Sequence, residues 1–166
     1  MRILRSELIL ALFLIAVSLS GCYSGGGNTN AIPSNDRSNT NRENANTAKT
    51  NAEELGLLVK ILYETEDIVW KDDTTNRKLI AVLRFSTVDA DKIVVDAEKF
   101  GVPVNVNIAA ETWFPSELIA QSDMSGDSAL KGFAYPANAF FQEPYTAGRI
   151  TRIDGGDYFV LELSVK

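Results

Sequence analysis

The sequence contains no histidine. That removes the imidazole base of Ser-His-Asp and Cys-His catalysis, and with it the side chain that most zinc sites use. It has a single cysteine, so no internal disulfide can form. Positive charge is scarce: 16 Lys and Arg stand against 22 Asp and Glu, a net charge of −6. Neutralising nucleic-acid phosphates takes a basic footprint, so no nucleic-acid partner is expected. Long apolar runs are missing as well. The most extended, residues 8–19 (LILALFLIAVSL), has twelve residues, short of the about 20 that span a bilayer core as a helix. What remains is 166 residues with an ordinary 45% hydrophobic share, enough for one globular domain with appendages.

The twelve-residue run has the size of a signal-peptide h-region, and Arg2 and Arg5 precede it as a positive n-region. It leads directly into Leu19-Ser20-Gly21-Cys22. Small residues before a cut let an extended chain enter a narrow protease groove, and a cysteine after it offers a thiol for a thioether. These four positions resemble the lipobox of bacterial lipoproteins. The resemblance covers residues 1–22 and carries no information on fold. It implies diacylglycerol on Cys22, cleavage between Gly21 and Cys22, and acyl groups such as palmitate as a membrane anchor on the outer side of the cell membrane. Glu7 departs from the usual acid-free n-region, although Arg2 and Arg5 keep it net positive. Tyr23 stands where an Asp would favour inner-membrane retention, which points to the outer membrane of a diderm host.

Residues 23–50 read YSGGGNTNAIPSNDRSNTNRENANTAKT, and 17 of the 28 are Asn, Ser, Thr or Gly. Such a stretch has too little apolar surface to offset its ordering entropy, so a disordered tether is expected. As a flexible coil it would span roughly 30 Å. The division is a signal peptide at 1–21, lipidated Cys22 with the tether at 22–50, and a globular domain at 51–166. That last part holds 11 basic and 19 acidic side chains, so flat adhesion to an anionic surface is disfavoured.

Within it, Asn51 and Glu54 have capping-box spacing ahead of Leu55, Leu58, Val59 and Leu62 on one helical face, although residues 57–62 also suit a strand. A short β run at 68–70 precedes a turn at 71–76, and residues 78–85 (KLIAVLRF) form a nearly continuous apolar strand. Ser86 or Thr87 caps a helix whose stripe is Ala90, Ile93, Val94, Ala97 and Phe100, with Gly101 at its C′ position. Val104, Val106 and Ile108 alternate with Asn105 and Asn107 as a strand with one wet face. Pro115 opens a short helix to Ser122, and 123–128 reads as a loop. Residues 132–141, 149–153 and 158–165 are strand candidates, with Asp154-Gly155-Gly156-Asp157 as a hairpin turn. The expected fold is α+β: a small domain with a largely antiparallel sheet and two or three helices on one face, the strands flanking the 87–100 helix being able to run parallel.

No motif in this domain specifies a reaction. Ser128-Ala129-Leu130-Lys131 has Ser-x-x-Lys spacing, but a strand is expected there. Asp72 with Asp73, and Glu111 with Glu117 around Trp113, are the available carboxylate pairs for glycoside chemistry. The stretch 123–127 offers too few oxygens for a calcium loop. No catalytic residue, metal or cofactor is therefore assigned, and a non-enzymatic role is expected. The remaining signal is aromatic: Phe133, Tyr135, Phe140, Phe141 and Tyr145 crowd into thirteen residues. They are core rings, or else Tyr135, Phe140, Phe141 and Tyr145 join Trp113 in a binding patch. The expected partner is an envelope protein, with a cell-wall glycan as the alternative and a carboxylate hydrolase a distant third.

Overall fold

The computed structural model describes residues 47–126 and 128–166; the Gly21-Cys22 junction and the rest of the chain to residue 46 lie outside the described residues. Six strands form one sheet: β1 Thr65–Asp73, β2 Lys78–Phe85, β3 Val104–Ala109, β4 Ala129–Pro136, β5 Ala147–Ile153 and β6 Tyr158–Ser164. Three helices accompany them: α1 Ala52–Gly56, α2 Thr87–Glu98 and α3 Ser116–Ser125. The strand order is β1-β2-β6-β5-β4-β3, and every neighbouring pair is antiparallel. This is the expected α+β class.

Its layout differs from the expected one in two respects. β2 and β3, the strands that flank α2, run in the same direction but are separated by β6, β5 and β4, so no parallel pair forms. The helices also cover both faces of the sheet. Leu79, Leu83, Phe85, Ile150, Phe159 and Leu161 pack on one side with Leu55 of α1 and with Ala90, Ile93 and Ala97 of α2. Val82, Leu130, Ile153 and Val160 pack on the other with Phe114 and with Leu118 of α3. The cause is visible in β6, where Phe159, Val160 and Leu161 are all fully buried. A central strand with side chains alternating between two cores must be apolar at every position. The edge strand β3 keeps its alternation, with Ile108 buried and Asn105 and Asn107 exposed.

Local boundaries follow from caps and turns. Asn51 caps α1 by accepting from the Glu54 amide, but the helix stops at Gly56, and 57–64 is neither helix nor strand. β1 runs through Lys71, Asp72 and Asp73, leaving only 74–77 as turn. Ser86 caps α2 by accepting from the Asp89 amide at 3.2 Å. That helix closes at Lys99 in right-handed geometry, so Gly101 is not a left-handed C′ residue. Its role is close approach instead: a Cβ there would lie 2.9 Å from Pro136 Cγ. Phe100 falls off the buried stripe and is 52% exposed. α3 runs three residues further than expected, and Gly126, at φ 78°, ends it. β4 ends at Pro136 rather than running to Phe141, and residues 138–140 form a 3-10 turn.

The 154–157 hairpin forms as expected, with Gly155 at φ 78°. Arg152 donates to Asp91 at 2.8 Å and to Asp157 at 3.0 Å, while the Thr87 hydroxyl donates to Asp157 at 2.7 Å. These bonds pin the hairpin to the start of α2. Contact with the sheet begins at Lys49, inside the stretch read as tether, through a bridge to Trp70. No helix among the described residues is long and apolar enough to cross a membrane.

Candidate functional site

The aromatic segment does not form the binding patch. Tyr135, Phe140 and Tyr145 lie in the core on the α2 side of the sheet. Phe141 packs half-buried against the same core, and Trp113 packs against the core on the opposite face. The five therefore share no surface. Burial is what claims them: α2 and the 3-10 turn leave a deep apolar space over β4, β5 and β6 that only large rings fill. Tyr145 keeps its hydroxyl satisfied by donating to Asp72, and burial together with that bond raises its pKa well above the usual phenol value. Phe133, expected to face the core, is the ring of this segment that stays substantially exposed.

Two surfaces come forward in its place. The first is a groove of about 860 Å³ at the turn end of the β1–β2 hairpin. Lys71, Asp73, Lys78 and Ile80 line it from the strands, and Glu111 and Trp113 from the segment before α3. Strand register sets the floor, since Lys71 lies opposite Ile80 and Asp73 opposite Lys78. The indole is held on several sides. Its Nε1–H donates to Glu111, Phe114 meets it edge-on at 4.7 Å between centroids, and Lys71 Nζ sits 5.2 Å from its ring. Asp73 accepts from the Asn76 amide at 2.9 Å and from its Nδ2 at 2.7 Å. Those bonds, the backbone one first, hold the Asp73 carboxyl below the usual range, so it is an acceptor at neutral pH.

The second surface is the outer edge of β3. Ala110 N–H donates to the Ser128 carbonyl, which fixes the phase of the β3–β4 ladder. With Val106 opposite Gly132 and Ile108 opposite Leu130, the even-numbered residues direct their amides and carbonyls into the sheet. Asn105, Asn107 and Ala109 direct theirs outward. Among the described residues, nothing pairs with that edge. Exposed Phe100, Val102, Val104 and Phe133 lie beside it. The strand VNVNIA contains no charge and no proline, the usual devices that keep an edge from pairing. β1, the other edge, carries Glu66, Asp67, Lys71, Asp72 and Asp73 and is bridged by Lys49.

The candidate chemistries of the sequence dissolve into local structure. Ser128 is left-handed at φ 53° and heads a strand, so Lys131 is not one helical turn away. Glu117 sits in the first turn of α3 and accepts from Ser116; it does not line the groove that holds Glu111. Asp123 belongs to α3, and Asp127 lies outside the described residues. Among the described residues, no group of three or more acidic or cysteine side chains is placed to hold a metal ion. The β3 edge escaped the sequence reading because an alternating strand looks the same at an edge and inside a sheet. Its lack of charge was the one usable signal. No family model, curated protein or solved structure matches the chain.

Proposed function

We propose that this protein is a lipid-anchored cell-envelope interaction module, held through Cys22 and the 22–50 tether, whose β3 edge captures an extended segment of a partner protein as a seventh strand. The observation that carries this reading is the row of outward backbone groups at Asn105, Asn107 and Ala109, uncovered among the described residues and bordered by exposed apolar side chains. Strand addition draws affinity from main-chain hydrogen bonds and specificity from alternate side chains. The domain's excess of 19 acidic over 11 basic residues favours a partner segment with net positive charge and disfavours a second copy of the same domain. The lipobox supports the anchoring half of the proposal, and the absence of a bilayer-length apolar run agrees with an anchor other than a spanning helix.

The test is site-specific photocrosslinking in cells from position 105, with position 88 on the outer side of α2 as reference. One discrete adduct from 105, absent from 88, is expected. Asn107→Pro removes one outward N–H without touching the β3–β4 ladder and should abolish the adduct, whereas Asn107→Ala keeps the backbone donor and should retain it. An adduct that survives Asn107→Pro in a folded protein would overturn strand addition.

A further inference from the structure

We infer that the groove beside Trp113 is a second, independent site, and that it takes an uncharged, hydroxyl-rich ligand of the oligosaccharide class. The reasoning starts from what the groove presents. Its volume of about 860 Å³ lies within the range of small-ligand clefts. An indole held by Glu111 and Phe114 supplies an apolar surface that suits the C–H faces of a pyranose ring, which would take the place of the Lys71 ammonium now over the ring. Around it stand cations and acceptors in alternation: Lys71 and Lys78 against Asp73 and Glu111. A sugar hydroxyl both donates and accepts, so it meets either kind of group without leaving one unsatisfied.

Other ligand classes fit less well. Phosphates and carboxylates would meet Asp73 and Glu111 as well as the two lysines, while the Asp72 carboxylate is engaged by Tyr145 on the other face of the sheet, so the groove gives an anion no net attraction. A purely apolar ligand would find only Trp113 and Ile80 and would strand the charges around them. Asp73 is fixed by Asn76 before anything binds, which lowers the ordering cost of recognition.

The experiment is an NMR titration of the full-length protein in detergent with the uncharged chitotriose and cellotriose, and with soluble peptidoglycan fragments, which carry carboxylates, as the anionic comparison. The indole N–H of Trp113 reports on the groove, and that of Trp70, whose Nε1 donates to the Asn51 carbonyl at 3.1 Å, is the internal reference. A saturable shift of Trp113 without movement of Trp70 is expected. Preference for chitotriose over cellotriose would add an acetamido contact, whereas preference for the carboxylate-bearing peptidoglycan fragments would overturn the assignment to an uncharged ligand. Trp113→Ala should weaken binding about tenfold or more. Asp73→Asn, at an exposed position, should weaken it too while leaving the fold intact. Asn107→Pro should leave sugar binding unchanged, which keeps this proposal separable from the β3 edge. No saturable Trp113 shift with chitotriose or cellotriose, or binding indifferent to both groove variants, would overturn it.

Discussion

Thr151 supplies a stringent check on how the sheet is packed. It lies in β5 between Ala134 of β4 and Val160 of β6, and it is fully buried. Alternation places its side chain on the face of Ile153, towards α3. Its Oγ1 has no hydrogen-bond partner among the described residues. An unpaired buried hydroxyl costs about 1–3 kcal/mol, and burying a methyl in its place contributes about 0.8 kcal/mol. Valine keeps the β-branched shape, so Thr151→Val opens no cavity, while the slightly larger methyl returns part of the gain as crowding. The net expectation is a stabilisation of about 1–2 kcal/mol, or roughly 4–8 °C in Tm for a domain of this size. Urea unfolding should move the midpoint up with the slope unchanged. Thr151→Ser, which keeps the hydroxyl and removes the methyl, should move the midpoint down. If Thr151→Val lowered stability by more than about 0.5 kcal/mol, the hydroxyl would have to be satisfied in the folded state, and this account of β5 would be refuted.

Further predictions address backbone, pH and anchoring. Gly148 has φ 149°, and a Cβ there would sit 2.1 Å from the Glu162 carbonyl oxygen; Gly148→Ala should cost about 3 kcal/mol or more, read as a collapse of the urea midpoint. Asp73, Asp89 and Asp96 have lowered pKa values through hydrogen bonds, from Asn76, Lys92 and Lys99 respectively as the largest cause. A folded-state pKa below the ordinary 3.8 means stability that is present above that value and lost as pH falls through the folded ones. Lacking histidine, the protein should hold a flat unfolding midpoint from about pH 5 to 8 and lose stability below 4. Asp96→Asn should shrink that acid-side loss, and a steep slope between pH 5 and 8 would contradict the assignment. Cys22→Ala should leave the protein as precursor or release it to the soluble fraction, as fractionation with mass spectrometry of the amino terminus would show; a normally cleaved, acyl-free, membrane-attached protein would sink lipid anchoring.

Strands and caps were legible wherever the local signal also decided the tertiary outcome. The run KLIAVLRF became β2 with the expected bounds, Ser86 capped α2, and 154–157 turned the last hairpin. Errors arose where distant packing overrode local preference. Leu62 belongs to the apolar helical pattern yet is exposed, because the helical hydrogen bonds end with Val59 N–H on the Leu55 carbonyl and residues 60–64 are neither helix nor strand. The aromatic segment was ambiguous since rings are as common in cores as in binding patches, and only the space beneath α2 decides between them. The groove was half visible: Asp72 with Asp73, and Glu111 with Glu117 around Trp113, drew attention as separate pairs, but residues about 40 apart in sequence are brought together by the turn of the β1–β2 hairpin and the segment before α3. Lys71 and Lys78 carried no sequence signal, since exposed lysines are ordinary.

The layout of the sheet gives the two proposed surfaces separate duties. The described chain joins the sheet at β1, where Lys49 bridges to Trp70 and Thr47 borders the groove. β3 is the sixth strand from that point, five strand spacings or roughly 24 Å away. Glu111 and Trp113 of the groove follow Ala109 of β3 by two and four residues, yet a ligand in the groove and a strand added to β3 would use different side chains, and their effects should be additive. Such an arrangement suits a tethered adaptor: the side where the chain enters takes a polar ligand, and the far edge stays open to extend the sheet into another protein. Were Trp113→Ala to change capture at position 105, the coupling would run through the 110–112 link and through Ile108 of β3, which shares a buried cluster with Phe114 and with the half-buried Trp113 packed on it.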